Sequence, residues 1–136
     1  MSQLQDIIHT VYFQLESLKS TYPGLAVVYG LPAAPPASLT VALEHDKTRM
    51  DEQYELAGYR KRPRVLFADI YTTSLEDRNN ISEAIKDLFE NKNLPVLNAS
   101  RQDTGSILIG DGVRVEVDMT QRFKASAKIY LYTLVN

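Results

Sequence analysis

The chain has 136 residues, 44% hydrophobic and 24% charged, with a net charge of −2 and no cysteine. That length and composition suit one folded globular domain rather than a disordered segment. A charge so near zero does not mark nucleic acid or acidic lipid as the main partner, and the absence of cysteine excludes disulfides, thiolate metal sites and cysteine nucleophiles.

The first element is a helix. Leu4, Ile7, Ile8, Val11, Leu15 and Leu18 recur at helical spacing and line one face, and Tyr22-Pro23-Gly24 ends the run. Phe13 points away from that stripe, among His9, Glu16 and Ser17, and reads either as a single exposed aromatic or as an anchor for a partner surface. No apolar run approaches the ~20 residues of a membrane helix. Gln3, Gln5 and Asp6 interrupt any signal-peptide core, so folding in a cytoplasm is expected.

Leu25 to Tyr29 is a short β-rich run, followed by a loop containing Pro32, Pro35 and Pro36. Leu39, Val41 and Leu43 alternate with Thr40, Ala42 and Glu44 and predict a second strand. Residues 44–64 form a charged excursion, read as a projecting loop or β-arm. It is acidic from Glu44 to Glu55 and then basic at Arg60, Lys61, Arg62 and Arg64. The apolar run from Arg64 to Thr72 predicts a buried strand. Ser74 occupies an N-cap position, and Ile81, Ala84, Ile85, Leu88 and Phe89 form the stripe of a second amphipathic helix.

Asn91-Lys92-Asn93 caps that helix, and Leu94 to Leu97 begins a short strand or linker. Gly110-Asp111-Gly112, flanked by Ser106–Ile109 and Val113–Met119, reads as a hairpin turn. The last strand, Lys128 to Val135, carries Ile129, Leu131 and Val135 on one face and Tyr130, Tyr132 and Leu134 on the other. These elements predict a single α+β domain over residues 1–136, with a mostly antiparallel β-sheet and two amphipathic helices packed on one face. The second face still carries bulky side chains. A neighbouring subunit is the economical cover, and the 44–64 segment folding back is the alternative.

Chemistry is sparse. His9 and His45 lie on different elements with no ligand spacing, so no metal site is expected. Asp69, within the strand RVLFADIYT, is the nearest approach to a perturbed acid, but a rim carboxylate is the plainer account. Gly110-Asp111-Gly112 leads into a strand rather than a helix and so is no phosphate loop. The serines and threonines form no nucleophile elbow. No catalytic residue, cofactor or enzymatic activity is predicted. The basic cluster Arg60, Lys61, Arg62 and Arg64 suits a salt-sensitive docking surface for an acidic partner or passing DNA, or else a solvated loop end. Tyr130 and Tyr132 are candidate subunit-interface residues.

The layout resembles the tail terminator (tail completion) proteins of long-tailed bacteriophages. The resemblance is carried by the helix Leu4–Leu18, VLFADIY at 65–71 leading into SLEDRNNISEAIKDLFE at 74–90, and the final strand KIYLYTLV at 128–135. It implies a structural virion protein of the tail or neck, assembled in the host cytoplasm. A homo-oligomeric ring, a hexamer by that family's habit, would cap the head-proximal end of the tail tube. It would stop tube polymerisation and give the head-completion or connector protein a docking surface. Its partners would be itself, the tail tube protein, the connector and the DNA passing through, with no membrane. A head-side connector or stopper is the alternative within that class. Outside it stands a small nucleic-acid- or ligand-binding α+β domain, with Tyr130 and Tyr132 as a stacking platform.

Overall fold

The computed structural model describes residues 3–30, 39–45, 62–117 and 123–134. Helix α1 (Gln3–Glu16) runs into a 3-10 turn at Ser17–Ser20, and strands β1 (Ala26–Tyr29), β2 (Thr40–His45) and β3 (Arg62–Tyr71) follow. Helix α2 (Leu75–Phe89) then precedes β4 (Asn93–Leu97), β5 (Asp103–Val117) and β6 (Lys124–Leu134). The proline loop, most of the charged excursion, and Arg60 and Lys61 with it, lie outside the described residues.

The six strands form one sheet in the order β1-β2-β3-β6-β5-β4. Every neighbouring pair is antiparallel except β1 and β2, which are parallel. The fold is therefore α+β, with both helices on one face. Pro95 falls on the edge strand β4, where the missing N–H is tolerated.

Strand parity sorts the faces. On β6, Ala125, Ala127, Ile129, Leu131 and Thr133 are buried under the helices, matched on β3 by Ile70, Ala68 and Leu66. Helix α1 contributes Ile7, Ile8, Val11 and Leu15 to this core, the 3-10 turn adds Leu18, and α2 contributes Ile81, Ile85 and Phe89. Each fully buried Leu, Ile or Phe contributes about 1.5–3 kcal/mol of transfer free energy, so these stripes hold the layers together.

Helix α1 is tied to both edges of the sheet, which curls around it. The Tyr12 hydroxyl donates to the Val27 carbonyl of β1 at 3.1 Å. At the other edge, the Leu97 N–H of β4 donates to Thr10 Oγ1 at 2.8 Å, and that hydroxyl donates to the Asp6 carbonyl at 2.7 Å. Thr10 is buried. Thr10→Val should keep the volume but strand the Leu97 N–H, lowering stability by about 1–3 kcal/mol. A denaturant melt measures this, and an unchanged midpoint would show that the edge strand is held without the threonine.

Ser74 caps α2 as its sequence position predicts, its Oγ accepting from the Asp77 N–H at 3.1 Å. Ser74→Ala should cost about 1 kcal/mol in the same melt. At the far end Asn91 takes a left-handed conformation, φ 57°, and turns the chain into β4.

The Gly110-Asp111-Gly112 segment is not a hairpin turn. It lies inside β5, a single strand of 15 residues, and a register shift between Gly110 and Gly112 makes it a bulge against β6. The glycine at 110 answers a different need. Its N–H donates to the Lys92 carbonyl at 2.9 Å, and its carbonyl accepts from the Asn91 N–H at 3.0 Å. The end of α2 is thereby pressed onto the strand, where a Cβ would meet the Phe89 carbonyl oxygen at 1.6 Å. The last strand also begins earlier than its apolar residues suggest, at Lys124.

Candidate functional site: the helix-free face of the sheet

The even-numbered residues of β6 point away from the helices. Cross-strand register places Tyr132 opposite Pro63 and Ile109, Tyr130 opposite Val65 and Gly112, and Lys128 opposite Phe67 and Arg114. This face divides in two. Near the ends of β3 and β6 it is apolar, with Val65, Tyr130, Tyr132, Ile109, and the register pair Ile107 and Leu134, which are 40% and 43% exposed. Farther along it is charged, with Lys124, Lys128, Arg114 and Glu116 on β5 and β6.

Tyr130 and Tyr132 are half-buried. Val65, opposite Tyr130, is buried although no described helix covers it. In the charged half, Lys128 pairs with Glu116 at 2.9 Å, and Lys124 lies over the Tyr71 ring at 5.1 Å from its centroid.

The other residues singled out from sequence are scattered. Phe13 is half-buried, and the Arg101 guanidinium stands over its ring at 4.0 Å from the centroid. His9 stacks on the same ring at 6.2 Å, and Arg101 also approaches Glu16 at 3.7 Å. The environment of Phe13 is thus the turn between β4 and β5, a contact that the helix periodicity alone does not reveal. Arg64 is half-buried on the helix-bearing face, in register with Leu131, and Arg62 lies in β3 opposite Thr133. Arg64 is therefore separated by the sheet itself from the aromatic strip. Asp69 is half-buried on the helix-free face, opposite Ala42 and Ser126.

Among the described residues, no three His, Asp or Glu side chains gather as a metal site, and no helix is long and apolar enough to cross a membrane. What the helix-free face offers is a contiguous strip of apolar and aromatic side chains beside a charged patch.

No family model and no curated protein matches the chain. A solved structure of a protein without a functional name is similar along almost the whole length. Its TM-score is 0.55 at 15% identity, covering 98% of this chain and 94% of that one. At that identity the likeness concerns the fold.

Proposed function

We propose that this chain is a structural assembly protein of the tail-terminator type, a subunit of a ring that caps a phage tail tube at its head-proximal end. The observation that carries this reading is the aromatic strip Val65, Tyr130, Tyr132, Ile109 and Leu134 on a sheet face that neither helix covers. Aromatic side chains held rigidly on a sheet give large contact area at low entropic cost, which is how interface anchors work. Ring closure uses up such surfaces without endless polymerisation. The element order, with an apolar strand leading into a capped helix and an aromatic final strand, supports the same assignment.

The mechanism is steric. The ring occupies the last subunit interface of the tube and presents a different surface to the incoming connector. Deleting the gene should yield tubes of uncontrolled length that fail to join heads, and mass spectrometry of purified wild-type tails should detect the chain. Tails of normal length that lack it would refute the assignment.

A further inference from the structure

Arg114 on β5 is exposed and stands directly opposite Lys128 on β6. Like charges facing each other across a strand pair destabilise a sheet unless an anion lies near. Glu116 meets Lys128, and Lys124 lies over Tyr71, whereas Arg114 makes no ion pair among the described residues. Asp69 and Glu44 belong to β3 and β2, on the far side of β6 from Arg114. Among the described residues, the excess of positive charge on this face thus lies on β5 and β6.

Helix α2 covers the opposite side of these same strands. Its outer line is acidic: Glu76, Glu83 and Asp87 recur at i, i+7 and i+11, away from the buried Ile81, Ile85 and Phe89. All three carboxylates are exposed, and none makes an ion pair among the described residues. Among the described residues, the β5–β6 part of the helix-free face therefore carries an excess of positive charge, and the back of the helix behind it carries an acidic line.

Two such surfaces do not pair through a two-fold axis, which would set Arg114 near Arg114 or Asp87 near Asp87. Front-to-back contact between successive copies satisfies both, and such heterologous contact closes into a ring when the rotation between copies divides a full turn. Both halves of the match lie on one chain, which favours a second copy over any other acidic partner. We propose that the α2 outer line of one copy docks on the helix-free face of the next, with Glu83 and Asp87 meeting Arg114 and Lys128. The adjoining aromatic strip is covered in the same event. This rests on the ring assignment above and specifies its interface.

Because the chain has no cysteine, introduced thiols report contacts without background. A mixture of Arg114→Cys and Glu83→Cys proteins should cross-link with a short bismaleimide into heterodimers. The double variant should give a ladder ending at the subunit number of the ring, and neither single variant alone should give homodimers. Arg114→Glu should weaken self-association about tenfold or more, and Glu83→Arg with Asp87→Arg in the same chain should restore it. Homodimers of Arg114→Cys would overturn the interface in favour of a two-fold contact. So would the absence of cross-links while the wild type sediments as a closed oligomer, and in that case the ring would stand. A wild type that stays monomeric at low salt, even with tail tubes added, would overturn ring and interface together. Retention of a short DNA duplex that Arg114→Glu abolishes, with no cross-link between copies, would overturn the interface in favour of a phosphate contact.

Discussion

Gly110→Ala should be the most damaging single methyl that can be added to the described part of this chain. The new Cβ would sit 1.6 Å from the Phe89 carbonyl oxygen and 2.7 Å from its carbonyl carbon, both backbone atoms that no rotamer change can move. Relief requires lifting the end of α2 off β5. That breaks the two backbone hydrogen bonds of Gly110 with Asn91 and Lys92 and loosens the fully buried Phe89. Overpacking typically costs about 1–3 kcal/mol, and a clash with fixed backbone belongs at or beyond the upper end of that range. For a domain of this size the melting temperature should fall by roughly 10–15 °C. Gly112→Ala is the control, since a Cβ there meets nothing within 4 Å. Equal melting temperatures for the two variants would mean that α2 does not press on the strand at Gly110.

Tyr130→Ser with Tyr132→Ser should abolish assembly while leaving a folded chain. Both side chains stand on the helix-free face, so neither contributes to the core beneath the helices. Their loss removes cross-strand contacts with Val65 and Ile109, worth about 0.2–1 kcal/mol each. Aromatic anchors at interfaces commonly carry about 2 kcal/mol or more each. Two of them therefore shift subunit association by roughly a thousandfold if their effects add. Sedimentation of the variant beside a far-ultraviolet circular dichroism spectrum separates the two outcomes. An unfolded variant would place the tyrosines in the monomer's own stability. A folded variant that assembles normally would remove them from the interface.

The two helices were legible because their signals are local. Spacing of Ile7, Val11 and Leu15 sets the buried face of α1, and Ser74 caps α2 with a bond across three residues. The faces of the last strand were legible too, since Tyr130, Tyr132 and Leu134 share a parity opposite to Ile129 and Leu131. The early start of β6 was hidden because Ala125, Ser126 and Ala127 are small and carry little β signal of their own.

The Gly110-Asp111-Gly112 segment shows where local reasoning goes astray. Turn chemistry favours a hairpin there, yet the buried positions pass from even-numbered Leu108 to odd-numbered Val113, a one-residue slip that a bulge also produces. What decides between them is the approach of Phe89, a contact across sequence that no local pattern encodes. The contact of Arg101 with Phe13 is hidden for the same reason. In the candidate site, alternation alone put Tyr130, Tyr132 and Leu134 on one face, whereas Val65 and Ile109 join them only through the register of β3 and β5 on β6. Arg114 facing Lys128 required the register of β5 on β6, which the bulge sets. The acidic line on α2 gains meaning only once the helix is seen to lie behind those same strands.

The most direct measurement is the mass of the assembled wild-type protein, by native mass spectrometry or sedimentation at low salt, alone and with tail tubes. A single closed oligomer, of six subunits as the family resemblance implies, which dissociates in the Tyr130→Ser, Tyr132→Ser variant, is the predicted result. A strictly monomeric chain under all these conditions, or an oligomer indifferent to both substitutions, would contradict assembly through the helix-free face of the sheet.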